Sequence, residues 1–217
     1  MKVLITGTAR GIGRAIALEY LNNGHDVIGF DLLPSSINHD KYTHFISDVR
    51  CKGKLPDIKD IEVLINNAGV FSNSKNDIET NLLGLMNVTI KYGYQDKIKS
   101  IINIASSSAS SGSEFPYYVA SKGGVLAYTK HTALDVAKYG ATCNSISPGG
   151  VITSSNDHIL NDGNLYDQVL NETILNKWCL PEEIAKLAYY LGVYNKSMTG
   201  QDLLVDNGEQ LKANFIW

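Results

Sequence analysis

"KVLITGTARGIGRAIALEY", residues 2–20, decides the fold. It opens on a short apolar run, KVLIT, too brief for a helix and rich in the residues of a buried strand. Three glycines follow, Gly7, Gly11 and Gly13, and the chain then turns helical at "GRAIALEY". Glycines between a strand and a helix permit positive φ and let backbone amides come close to an anion that the helix N-terminus favours. In that position they point to a diphosphate site, a stronger signal than three glycines in an arbitrary loop.

Further along, the same alternation repeats. Strands are expected at 2–6, 26–30, 43–47, 62–66, 100–105, 142–147 and 202–206, and helices near 12–23, 77–94, 117–138 and 182–193. The strands are apolar almost throughout, as strands covered on both faces must be. Strand–helix alternation of this kind gives parallel pairing with right-handed crossovers. The fold class is therefore α/β: an open, doubly wound parallel sheet of about seven strands with helices on both faces. At 217 residues the chain suits one domain, 1–217. Residues 148–180 hold no strand, and a stretch that long inside a compact domain reads as a substrate-binding lid.

Eighteen positions beyond Gly13, at the end of the second strand, stands Asp31 in "IGFDLL". A carboxylate there accepts the two hydroxyls of an adenosine ribose and repels a 2'-phosphate, which favours NAD(H). Arg10, inside the glycine loop, pulls toward NADP(H), the second possibility.

In "EFPYYVASKGG", residues 114–124, Tyr118 and Lys122 are four apart and share a helix face. With 12 tyrosines in the chain, about one Tyr–Lys pair at this spacing arises by chance. The chemistry is apt all the same. A free phenol titrates near 10, and a neighbouring ammonium favours its anion, so the phenol can exchange a proton near neutral pH. Tyr117 has Ser121 at the same offset and gains no cation, so Tyr118 is the candidate acid.

At this point the chain resembles the short-chain dehydrogenase/reductase family, in seven ordered segments. "TGTARGIG" is similar to the family's glycine loop, which implies cofactor contacts from Gly7, Arg10, Gly11, Ile12 and Gly13. "SDV" resembles its adenine contact, on Asp48 and Val49, and "NNAG" its cofactor-supporting turn, on Asn67, Ala68 and Gly69. "TNLLG" carries Asn81 in the place of the catalytic asparagine, and "NIASS" carries Ser106 in the place of the active-site serine, with Ser107 the alternative. "SPGGVIT" resembles the nicotinamide-side loop, implying Pro148, Gly149, Val151 and Thr153, and "MTGQDLLVDNG" the closing strand. The resemblance implies a Rossmann-like fold and carbonyl–secondary alcohol interconversion by hydride transfer. In it Tyr118 is the acid/base and Lys122 lowers its pKa while holding the nicotinamide ribose. Ser106 orients the carbonyl, and Asn81 keeps a water in the proton relay. The resemblance also implies a homodimer or homotetramer built on the helices at 77–94 and 117–138. Two places are trimmed relative to the family: the crossover "RCKGKLPDIKD", too short for a full helix, and the Ser106–Tyr118 interval, one residue short.

Two other functions stay in view: a 3-oxoacyl carrier-protein reductase, for which Lys91, Lys97 and Lys99 offer a basic docking patch, and a dinucleotide-sensing protein without turnover. A net charge of −3 gives no footprint for nucleic acid. No run reaches the roughly 20 apolar residues of a membrane span. Three scattered cysteines and histidines without ligand spacing lead to the expectation of a reduced, cytoplasmic protein with no metal. "ANFIW" at the C-terminus is expected to help shape the substrate pocket.

Overall fold

The computed structural model describes residues 1–211. Seven strands form one sheet: β1 (Lys2–Thr6), β2 (Asp26–Asp31), β3 (Tyr42–Ile46), β4 (Val63–Asn66), β5 (Ser100–Ile104), β6 (Thr142–Pro148) and β7 (Asp202–Val205). Their order is β3-β2-β1-β4-β5-β6-β7, and every neighbouring pair is parallel. The seven expected strands are all present, each within one or two residues of its expected ends.

Alternate strand residues point to opposite faces, and both faces are apolar. Val3, Ile5, Ile65, Ile102 and Ile146 pack under α1 (Gly11–Asn22) and α8 (Pro181–Val193), together with Ile16, Tyr20, Ile184 and Leu191. Leu4, Phe30, Leu64, Ile101 and Cys143 face the other way, against Val88 and Tyr92 of α3 (Leu85–Tyr92) and Val136 of α5 (Pro116–Val136). Each such fully buried aliphatic side chain contributes about 1.5–3 kcal/mol. That two-sided core fixes the sheet, and the sheet fixes the site. Strand order reverses between β1 and β4, and in an open parallel sheet ligands bind in the crevice beyond the strand ends at that reversal.

One expectation is corrected, and two further segments gain detail. The helix expected over 77–94 is composite: α2 (Lys75–Asp77), a π-helical stretch over Ile78–Gly84, and then α3. A wider turn leaves the apolar spacing almost unchanged, so sequence periodicity does not reveal it. The "SSSASSGS" segment, 106–113, starts with three buried serines and contains the short helix α4 (Ser108–Ser111). Ser107 is the reason. Its N–H donates to the Pro148 carbonyl (2.8 Å) and its carbonyl accepts from Gln210 Nε2 (2.6 Å), which draws the segment onto the sheet end. The strandless region is partly helical, with α6 (Asp157–Leu160), α7 (Gly163–Leu170) and a return through Cys179, which bridges to Val151. The trimmed crossover after β3 keeps only a single 3-10 turn, Lys52–Lys54.

Candidate active site

The glycine loop leaves β1 with Gly7 at φ +76°, and its N–H donates to Phe30 O (2.7 Å). A side chain on Gly7 would meet Asn67 Nδ2 at 2.7 Å, and one on Gly13 would overlap the Gly7 carbonyl. Helix α1 therefore sits close under the loop. Asn67 locks the turn from the β4 side: its Nδ2 donates to Thr6 O (3.0 Å) and Gly7 O (3.1 Å). The Asn67 and Ala68 N–H groups both donate to Thr6 Oγ1 (3.0 Å each). Gly11 faces the Thr153 side chain across the crevice, while Arg10 is exposed at the start of α1 and Ile12 half-buried.

Asp31 is held in place by the loop itself. Its carboxylate accepts from Ala9 N–H and Leu33 N–H, both at 2.9 Å. A carboxylate offers about four acceptor positions, so two remain for ribose hydroxyls. Asp48 stands just beyond β3, beside Val49. Arg50 clamps it through Nε (3.0 Å) and a terminal nitrogen (2.7 Å), and this holds its carboxyl below the ordinary carboxylate range. Val49 is buried against Gly84.

On the nicotinamide side, Gly149 N–H donates to Val205 O (3.0 Å), Pro148 ends β6, and Val151 is buried. A side chain on Gly149 would meet Glu209 and Asp206 at under 3 Å, so this loop, like the one after β1, accepts only glycine. Such a cradle fits a dinucleotide.

Four candidate catalytic residues converge at the ends of β4 and β5. Asn81, from the π-helical stretch, is buried with every amide hydrogen and its acceptor engaged. Oδ1 accepts from Val70 N–H (2.7 Å), and Nδ2 donates to Val70 O (2.9 Å) and Ser121 Oγ (3.1 Å). Ser121 in turn donates to the Tyr118 carbonyl (2.7 Å). The Asn81 side chain is thus a brace between the β4 turn and α5, leaving only its backbone to hold a water. Lys122 is 5% exposed, and its Nζ donates to Ile104 O (2.9 Å). Burial lowers its pKa to about 8. Gly69 lies between this amine and Asn81.

Tyr118 shows the opposite perturbation. Burial pushes its phenol up to about 12, with Glu114 and Asp77 adding to the rise, while a hydrogen bond from Ser106 opposes it. Phe71 packs edge-on against the phenol ring, with centroids 4.8 Å apart at 80°, and the Lys122 amine is 5.8 Å from that ring's centroid. Ser106 is buried, and its Oγ accepts from Ser108 N–H (3.3 Å) and Ser108 Oγ (2.9 Å).

Sequence reading missed several neighbours. Phe115 stacks at 5.1 Å on Phe71, extending an exposed aromatic wall beside the phenol. The carboxyls of Glu114 and Glu209 are both raised, first by burial, then by Glu209 for Glu114 and by Asp206 and Glu172 for Glu209. Glu114 also stands at φ +87°, unusual for a residue with a side chain. The one local hint was "EF" directly ahead of the Tyr118 segment; nothing local couples position 114 to position 209.

A family model described as Enoyl-(Acyl carrier protein) reductase matches residues 55–210. The 3-oxoacyl-(acyl-carrier-protein) reductase FabG of Chlamydia pneumoniae is 33% identical, with 95% of this chain and 96% of that protein covered. Its counterpart in Staphylococcus epidermidis is 28% identical, with 94% and 97% covered. Among solved structures, the ligand-free aldohexose dehydrogenase of Thermoplasma acidophilum superposes with a TM-score of 0.88 at 26% identity, over 100% of this chain and 96% of that one. A short chain dehydrogenase family protein from Francisella tularensis shares the fold at a TM-score of 0.83 and 24% identity, over 97% and 99%. The parallel sheet, the glycine cradle at its reversal point and the matched segments have one common source: the chain belongs to the short-chain dehydrogenase/reductase family of oxidoreductases.

Proposed function

We propose that the protein interconverts a carbonyl and a secondary alcohol by hydride transfer with NAD(H), and that Tyr118 is its acid/base. The observation that carries this reading is the buried Lys122 amine, bonded to Ile104 O and 5.8 Å from the centroid of the Tyr118 ring. A bound nicotinamide supplies or accepts the hydride. The chain's own residues do the rest. Ser106 donates to the carbonyl oxygen, and Tyr118 gives it a proton as the alcohol forms. Lys122 has two N–H groups beyond the one on Ile104, suited to ribose hydroxyls. Asn81 fixes α5 against the β4 turn, and its backbone carbonyl holds the relay water. Gly7, Arg10, Gly11, Ile12, Gly13, Asn67, Ala68 and Gly69 cradle the dinucleotide, with Asp48 and Val49 at the adenine and Pro148, Gly149, Val151 and Thr153 at the nicotinamide. Residues 148–180 act as the lid of this single domain.

The second reading, a 3-oxoacyl carrier-protein reductase, draws on the names of the relatives. Glu114 and Glu209 at the mouth weigh against it, because an acidic carrier approaching them meets like charge. The Phe71–Phe115 wall beside uncharged hydroxyl donors suits a small neutral substrate, and the aldohexose dehydrogenase is a relative of that kind. We also read the π-helical stretch with α3, and α5, as self-association faces of a dimer or tetramer, since Leu83, Ile90 and Leu134 are exposed there; a monomer by sedimentation at micromolar concentration would refute this.

NADH oxidation against a panel of simple ketones, aldose-derived carbonyls and 3-oxoacyl thioesters tests the reading. Turnover with small neutral carbonyls supports it. Turnover confined to carrier-bound thioesters gives the second reading, and tight NADH binding with no turnover of any carbonyl gives the sensor. Cofactor choice has its own check. Asp31 is fixed by two backbone amides, so Asp31→Ser is expected to raise the NADPH-to-NADH ratio of kcat/KM by about 10-fold or more. An unchanged ratio would remove Asp31 from cofactor selection.

A further inference from the structure

We propose that Ser108 is a positioning residue, one that donates to Ser106 Oγ and thereby turns the single Ser106 proton toward Tyr118 and the substrate oxygen. The proposal rests on the reading of Ser106 and Tyr118 given above.

A serine hydroxyl has one proton to give and two lone pairs to receive with. At Ser106 both lone pairs are taken by the same neighbour. Ser108 N–H points at Ser106 Oγ from 3.3 Å, and Ser108 Oγ lies 2.9 Å from it. Ser108 is 1% exposed, and its hydroxyl makes no other hydrogen bond among the described residues. A buried hydroxyl proton left without an acceptor is costly, so the Ser108 proton goes to Ser106. Ser106 can then only donate, and we read the Tyr118 phenol as its acceptor, since hydrogen bonding by Ser106 opposes the rise of that group. Accepting a hydrogen bond also makes a hydroxyl a better donor.

The backbone holds this arrangement rigid. Ser108 opens α4, where first-turn N–H groups have no partner within the helix and are free for Ser106. Between the two residues, Ser107 is pinned by its N–H on Pro148 O (2.8 Å) and by its carbonyl, which takes Gln210 Nε2 (2.6 Å). Gly112, at φ +72°, closes the turn with its N–H on Ser108 O (3.0 Å). Ser106 and Ser108 therefore cannot swing apart. With alanine at 108, the Ser106 hydroxyl can rotate into the vacated space, and a phenolate at Tyr118 loses part of its donor.

The test reads the phenol directly, with NAD+ as the probe and no substrate. Tyrosine carrying carbon-13 at Cζ is incorporated, and the Tyr118 resonance among the 12 tyrosines is assigned by its loss in Tyr118→Phe. With NAD+ saturating, the phenolate fraction of Tyr118 near pH 8 is expected to fall about 3- to 10-fold in Ser108→Ala. Ser108→Thr, which keeps the hydroxyl, is expected to stay within about 1.5-fold of the unmodified protein. An unchanged fraction in Ser108→Ala overturns the proposal, and so does an equal fall in the alanine and threonine variants, which would mark a packing role. If Ser108→Ala fails to fold, Ser108→Cys carries the comparison, since a thiol is a weak donor of similar size and should reproduce the fall. Absence of any phenolate in the unmodified protein would sink Tyr118 as the acid/base, and this proposal with it; a normal titration with no response to Ser108 sinks only the latter.

Discussion

Tyr118→Phe is expected to lower kcat by about 10³-fold or more while leaving NADH affinity within about 3-fold. The size follows from what the oxygen does. General acid–base help from a positioned side chain is worth about 10²–10⁴-fold, and a reduction without a proton donor leaves an alkoxide that must find its proton in water. The selectivity follows from the packing. The phenylalanine ring keeps the edge-on contact with Phe71 at 4.8 Å, Lys122 keeps its bond to Ile104 O, and Asn81 keeps its bonds to Val70. Only one hydroxyl goes. Tyr117→Phe is the matched control, since that ring is 40% exposed. Steady-state rates with the best carbonyl of the panel, and NADH binding by fluorescence, give the two numbers. A variant that still turns over within 10-fold of the unmodified protein would require another proton donor. Glu114, whose raised carboxyl lies near the phenol, would be the first to examine.

Much of this site was legible from single segments, because its parts are set by local geometry. The Gly7–Gly13 loop needs φ values and clearances that only glycine supplies, so its residues announce themselves. Asp31 ends a strand, and four residues along a helix put Tyr118 and Lys122 on one face. What stayed hidden is tertiary. Asn81 reads as a helix asparagine until Val70 is seen to bond both ends of its amide. Glu114 and Glu209 meet only because the end of the chain returns beside the β5–α5 loop. The burial of the serine run at 106–108 is set by Pro148 and Gln210, partners that lie far along the chain. "ANFIW" lies outside the described residues. The sign of the phenol shift was also beyond sequence reasoning. A lysine four residues away argues for a lowered pKa, but in the free protein burial dominates and the phenol is raised.

The Lys122 amine makes the largest expected change in stability with pH. Its pKa is near 8 in the folded chain and 10.5 when exposed, and burial is the sole cause of the difference. Below pH 8 both states carry the proton, and folding bears the full cost of a buried ammonium. Between pH 8 and 10.5 the unfolded chain binds a proton that the folded chain has released, so stability rises with pH across this window and levels off above it. One pH unit of mismatch is about 1.4 kcal/mol. Moving from pH 7.5 to pH 10 should therefore stabilise the unmodified protein relative to Lys122→Met by about 2 kcal/mol. Tyr20 and Tyr92, whose pKa values burial raises, act in the opposite direction from about pH 10 upward, but both proteins contain them and the difference removes them. Urea unfolding of the two proteins at several pH values supplies the comparison. A difference that stays flat would place the amine in water, and with it would go the reason for the function. An ammonium held in a dry site beside Ile104 O exerts a field on the neighbouring phenol that a solvated one does not. On the proposed reading of Tyr118 as the acid/base, carbonyl reduction is expected to decline as the Lys122 amine loses its proton.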